Sequence, residues 1–250
     1  MRNSIIIGAL FASLFGSSAG AAEIRVVASP GLAAAFKVLA PDYEHASGNR
    51  LSFQYGLGAA QKQRIDAGDF DLAIVPAFSL DRAIKDGKVA YDTRTVVANV
   101  ELGVGVRAGS AKPDVVSVDA FKRTMLAAKS VAYVMDEPAG RQISKDFETL
   151  GIAAEMKTKS ISKDKVAQVW QAVADGSAGL GFGFTSNLLS VSGVQYAGPF
   201  PKELQYSVAL VAGIGSTSHN TDAAKTFVKF LLSPHAVAVL KAKGLEPPVQ

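Results

Sequence analysis

Residues 24–75 read IRVVASPGLAAAFKVLAPDYEHASGNRLSFQYGLGAAQKQRIDAGDFDLAIV. The stretch opens with a β-forming run, Ile24 to Ala28, and turns at Ser29-Pro30-Gly31. From Leu32 to Ala46 the apolar residues Ala35, Phe36, Leu39 and Tyr43 recur at helical spacing, and Gly48-Asn49 ends that helix. Leu51 to Tyr55 reads as a second strand. Gly56-Leu57-Gly58 leads into a helix over about 59–67, closed by Gly68. Asp71 to Val75 is a nearly continuous apolar run, the pattern of a strand covered on both faces. Strand, helix, strand, helix, strand in this order predicts a parallel sheet with helices on both sides.

The remaining chain repeats the theme. Leu102 to Arg107 (LGVGVR) is a strand diluted by glycine, Val118 to Ala128 a helix, and Val131 to Met135 a strand. Asp136-Glu137-Pro138-Ala139-Gly140 precedes a helix over 141–150. Lys163 to Ala174 is a helix with Val166, Val169, Trp170 and Val173 on one stripe. Leu180–Phe184 and Gln205–Val211 are strands, and two helices, Thr221–Leu232 and Pro234–Lys243, close the pattern. Two βα groups therefore lie along the chain, and the final helices are too few to form a domain of their own. The expected architecture is two α/β lobes, residues 23–103 with 208–250 and residues 104–207. Two crossover strands near 103–107 and 206–211 join them, and a ligand cleft lies between.

Residues 1–22 stand apart. Arg2 is followed by an uncharged apolar run of 12 residues, Ile5 to Gly16, and then by the small residues Ser17 to Ala22. This is the order of a cleavable export signal, and the run is shorter than the ~20 residues of a membrane span. The sequence contains no cysteine, hence no lipid-bearing cysteine after the cleavage point. The expectation is a freely diffusing periplasmic protein of about 228 residues, long enough to build a core without disulfides. Its 25 basic and 22 acidic residues show no clustered basic footprint for nucleic acid.

Three small-residue turns, Ser29-Pro30-Gly31, Gly56-Leu57-Gly58-Ala59 and Pro138-Ala139-Gly140, each end a strand and begin a helix. A helix start presents unpaired N–H groups and the positive end of its dipole, and small residues let an anion approach that backbone. In open α/β sheets such turns sit where ligands bind, so together they predict an anion site. Other chemistries find less support. Gly56-x-Gly58 lacks the third glycine of a dinucleotide loop, with Gln61 in its place. The G-x-S-x-G match at 16–20 lies in the export signal. His45, His219 and His235 have no metal-ligand spacing, and no nucleophile–base pair is evident, so neither an enzyme nor a metal site nor a cofactor is expected.

The segments IRVVASPGLAAAFKVLAPDYEHASG, QKQRIDAGDFDLAIV, DEPAGRQISKDFETLG, GLGFGFTSNL, YSVALVAG and FVKFLLSPHAVAVLKAKG resemble, in order and spacing, periplasmic molybdate-binding proteins. That family is a branch of the two-lobed type II periplasmic binding proteins that serve ABC importers. The resemblance implies an oxyanion held by two serines, a tyrosine and backbone N–H groups at helix starts. The first serine falls on Gly31, with Ser29 two residues earlier, and the second on Gly58, beside Ala59. The backbone donors fall on Ala139, with Gly140 beside it, and on Val166, and the tyrosine falls on Phe184. The backbone donors are kept and all three hydroxyls are lost. Each hydrogen bond to a charged group contributes about 1.5–3 kcal/mol, so another ligand or other donors must compensate. Ser29, Gln61, Arg64, Arg141 and Thr185 are nearby, and the glycines enlarge the pocket. The anion is then either a molybdate- or tungstate-type oxyanion, as the family implies, or a small di- or tricarboxylate that fits the enlarged pocket, with Arg141 as a bidentate clamp. The resemblance also implies a monomer with an inner-membrane ABC permease as partner. A sensor module that binds the same ligand for a membrane receptor is the alternative.

Overall fold

The computed structural model describes residues 21–248. All but two positions of the segment read as an export signal lie outside the described residues.

The first sheet grows from β1 (Glu23–Ala28), which pairs in parallel with β2 (Arg50–Tyr55) on one side and β3 (Leu72–Pro76) on the other. A 3-10 turn, Pro30–Leu32, leads into α1 (Ala33–Ser47), and α2 (Gly58–Ala67) connects β2 to β3. Gly48 and Gly68 end these two helices at φ +73° and +72°, the left-handed conformation that glycine adopts without a Cβ penalty. Successive side chains of β1 go to opposite faces of the sheet. Val26 joins the core built with Phe36 and Leu39 of α1, while Val27 packs on the other face with Ile65 of α2. Every residue of β3 is buried, as its unbroken apolar run requires. Then follows α3 (Ala77–Lys85).

The next strand, β4 (Thr95–Arg107), is 13 residues long and belongs to both halves. The second half comprises α4 (Val118–Ala127), β5 (Val131–Tyr133), α5 (Pro138–Thr149), α6 (Ala153–Lys159), β6 (Ser160–Ser162), α7 (Val166–Asp175), β7 (Leu180–Phe184), α8 (Thr185–Leu188) and β8 (Val194–Pro199). The chain then returns through β9 (Ser207–Ile214), α9 (Thr221–Leu231), α10 (Pro234–Ala242) and β10 (Leu245–Glu246). The strand order is β2-β1-β3-β9-β4-β7-β5-β6, with β8 and β10 also paired to β4. Residues Thr95–Glu101 of β4 pair antiparallel with β9, and Leu102–Gly105 pair antiparallel with β7. The fold is the mixed α/β architecture of periplasmic binding proteins.

The change of partner from β9 to β7 along β4 falls between Glu101 and Leu102, and the returning strand β9 begins at Ser207. Gln205 fixes the passage. Its Oε1 accepts from Leu102 N–H at 2.8 Å and its Nε2 donates to Leu102 O at 3.1 Å, standing in for a neighbouring strand. The sequence reading started this strand at Leu102. Polar Asn99 and Glu101 interrupt the apolar pattern upstream, yet the ladder with β9 runs back to Thr95. Helices α9 and α10 lay Phe227, Leu231 and Leu240 on the β1-side core of the first half.

The glycines of β4 and β7 have a packing cause. A Cβ on Gly105, Gly181 or Gly183 would stand 2.7–2.8 Å from the Trp170 ring. The fully buried indole of α7 therefore lies flat on a strand face stripped of side chains. Val104 and Phe182, alternating with these glycines, point into the opposite core with Phe121 and Phe147.

Candidate functional site

Helices α2, α3 and α5 start where the two halves meet. Helix α2 begins behind Leu57, α3 behind Pro76 and α5 behind Glu137, and none of these three residues makes a side-chain cap. Two helices elsewhere differ. Ser117 Oγ accepts from Ala120 N–H at 3.2 Å to cap α4, and Ser233 Oγ accepts from Ala236 N–H at 3.3 Å to cap α10. The first turn of a helix has no internal partners for its N–H groups, so the three uncapped starts carry donors free for a ligand.

One cavity of about 290 Å³ touches all three starts. Leu57, Gly58 and Gln61 come from α2 and its approach, Phe78 and Ser79 from α3, and Glu137, Pro138 and Ala139 from α5. Pro76, Phe184, Tyr206 and Val208 complete the wall, which is largely apolar. Phe184 at the end of β7 and Tyr206 at the return crossing stack with centroids 6.3 Å apart and planes 25° apart. Glu137 is the one charged residue among the described wall residues.

The approach to α2 is held from below. Gln61 is buried and its Nε2 donates to Gly56 O at 3.0 Å, while the Arg64 guanidinium donates to Tyr55 O. A Cβ on Gly56 would meet that guanidinium at 2.7 Å, so a side chain there would push the Arg64 head aside. Burial pushes the Tyr55 phenol up to about 12, which keeps it neutral. Gly58 adopts φ +53° with no atom within 4 Å of a Cβ position. Space is open there, but an L side chain would be strained.

A second contact joins the halves at the 3-10 turn. Ser186 of α8 places its hydroxyl 2.9 Å from the Cβ position of Gly31. Ser29 and Ser186 are both buried, and neither hydroxyl has a hydrogen-bond partner. The Ser29 backbone is engaged, its N–H donating to Ile74 O at 3.0 Å.

Of the residues singled out from sequence, Gly58, Gln61, Ala139 and Phe184 share the cavity wall. Ala59 faces an adjoining cavity of about 240 Å³ between α2 and α3. Ser29 and Gly31 gather with Ser186 instead. Gly140 is buried, and a Cβ there would stand 2.7 Å from Met135 Cα, so its missing side chain lets α5 lie on the loop before it. Arg141 is exposed, and its guanidinium donates to Asp136 O in its own loop. Val166 is half-buried at the start of α7, beside the Trp170 core. Sequence reasoning missed Ser79, Glu137 and Tyr206. Ser79 follows a fourth strand-to-helix turn at the end of β3, equivalent in place to the others but without their glycine. Glu137 and Tyr206 carry no local signal. Among the described residues no group of three or more His, Cys, Asp or Glu side chains could hold a metal ion. His235 Nε2 pairs instead with Asp42 at 2.9 Å.

The profile of the family described as bacterial extracellular solute-binding protein matches residues 24–246, and the chain belongs to that family. It is 29% identical over 233 residues to a protein of Pseudomonas sp named aconitate isomerase, covering 90% of this chain and 87% of that one. It is 26% identical over 247 residues to the molybdate-binding protein ModA of Azotobacter vinelandii, covering 96% of each. Among solved structures, the substrate-binding domain of a molybdenum ABC transporter from Clostridium difficile superposes with a TM-score of 0.79 at 20% identity, over 92% of this chain and 100% of that one.

Proposed function

We propose that this solute-binding protein captures a small di- or tricarboxylate in the cavity between its halves and delivers it, as a periplasmic monomer, to the permease of an ABC importer. One observation carries this reading: three uncapped helix starts, from both halves, border a single cavity whose wall is mostly apolar. The free N–H groups and dipole ends suit carboxylate oxygens. The apolar wall of Leu57, Pro76, Phe78, Phe184 and Val208 suits a carbon body, which a tetrahedral oxyanion lacks. The volume is at the small end of ligand pockets, and Ser79 and Tyr206 offer hydroxyls in place of those lost at positions 31, 58 and 184. The relative named for aconitate, a small tricarboxylate, supports the same class. Capture follows by closure about the 101–102 and 206–207 passages, selected by the ligand's higher affinity for the closed form.

A thermal-shift screen tests it. The panel holds molybdate, tungstate, sulfate, phosphate, citrate and the two aconitates. A ligand at 100 times its Kd stabilises the folded state by about 2.7 kcal/mol, a clear rise in Tm. Rises with carboxylates and none with oxyanions are expected, and a rise with molybdate or tungstate alone overturns the reading.

The relative named aconitate isomerase favours a second reading, in which the bound ligand is also converted. Proton NMR of each aconitate isomer incubated with the protein separates capture from turnover.

A further inference from the structure

Anion capture leaves one wall residue unexplained. Glu137 brings a carboxylate to a cavity whose other features attract negative charge. It stands at the start of α5 in extended conformation (φ −86°, ψ 161°) and makes no cap to its own helix. Among the described residues its side chain has no hydrogen-bond or ion-pair partner, although its main-chain carbonyl accepts from Arg141 N–H at 3.0 Å. A like charge beside a bound polycarboxylate weakens binding. The same charge beside a C–H bond next to a carboxylate is a base in position to act.

We propose that Glu137 is a proton-transfer residue, so that the cavity interconverts isomers of an unsaturated tricarboxylate with an allylic CH2. The inference rests on the carboxylate reading of the cavity given above. A Glu137 carboxylate oxygen takes one proton from the CH2 carbon. The C–H electron pair forms a new C=C to the central carbon, and the old C=C pair moves onto the far carbon, its charge shared with the carboxylate attached there. The same proton, or one exchanged with water, then goes from Glu137 to that far carbon. One C–H bond breaks and one forms, nothing is oxidised or reduced, and the double bond has moved across the central carbon, where it can adopt either geometry. The free N–H groups at the starts of α2 and α3 hold the carboxylates on which charge accumulates, donors placed before the charge arrives. Across the same cavity Tyr206, its ring stacked with Phe184, completes the wall at the return crossing.

The test uses the purified protein in D2O with cis- and trans-aconitate as probes. Calorimetry reads binding, and proton NMR reads isomer conversion and deuterium uptake at the CH2. Wild type is expected to bind and to exchange. Glu137→Gln is expected to bind at least as tightly, because a like charge is gone, and to lose exchange by 100-fold or more, the usual contribution of a positioned base. Glu137 is exposed and caps nothing, so an unchanged Tm for the variant confirms that its fold is intact. Binding without exchange in wild type overturns the inference while the ligand reading stands, as does exchange that survives in Glu137→Gln. Absence of binding to either isomer or to citrate overturns the ligand reading itself, and the inference with it.

Discussion

The Ser186 hydroxyl occupies the space that a side chain on Gly31 would fill, 2.9 Å from its Cβ position. One residue belongs to each half, so the contact measures how closely the halves approach. Gly31→Ala forces the buried hydroxyl aside or the halves apart, and overpacking of this kind costs about 1–3 kcal/mol. The expected result is at least fivefold weaker binding of cis-aconitate by calorimetry. In a Ser186→Ala background the same substitution should cost less than twofold, and this coupling is read from the double-mutant cycle.

Gly58→Ser restores a hydroxyl where the molybdate-binding proteins carry one. Nothing obstructs it, but φ +53° costs an L residue roughly 1–2 kcal/mol. A folded protein with Tm lowered by about 2–8 °C is expected, with a new thermal shift by molybdate. A variant as stable as wild type would show that the helix start relaxes to accept the side chain.

Gly181→Ala tests the glycine face under Trp170. Its Cβ would stand 2.8 Å from the indole and 2.7 Å from Val173 Cγ2, and neither buried group can yield without disturbing the core. A loss of about 1–3 kcal/mol by denaturant unfolding is expected.

Asp146 gives a pH signature. The side chain is buried; Oδ1 accepts from Gln142 Nε2 at 2.8 Å and Oδ2 has no partner. Burial raises its pKa, and the Gln142 bond and nearby Lys145 only partly oppose this. Between the ordinary carboxylate value and the raised one the folded state holds more protons than the unfolded state, so stability falls as pH rises through that window. Asp146→Asn removes the burden of a buried charge. It should raise Tm by a few degrees at pH 8 and change it little near pH ~2.5, well below the ordinary carboxylate value, where the carboxyl is protonated in both states. An equal shift at both values would mean that packing, not charge, is responsible.

The sequence was most legible where period and punctuation coincide. In residues 24–75 the switch from strand runs to the Ala35-Phe36-Leu39-Tyr43 stripe, closed by Gly48 and Gly68, gave elements within a few residues of those observed. Legibility failed where order comes from a distant partner. The Thr95–Glu101 part of β4 is set by its ladder with β9, more than 100 residues away, and the short β6 and α8 have too few residues to show a period. The site follows the same rule. Gly58 and Ala139 stand at turns that announce a helix start. Glu137 and Tyr206 reach the cavity only because two passages of chain meet there. A small residue also does not declare its purpose: Gly58 leaves room, whereas Gly140 is small because Met135 lies against it.

The shared strand β4 also governs how the molecule comes apart. It supplies Val97, Ala98 and Val100 to one core and Leu102, Val104 and Val106 to the other. Withdrawing it empties both interiors at once, so neither half survives alone as a stable intermediate. Heating should therefore produce a single calorimetric peak, and proteolytic nicking within β4 should release no folded fragment.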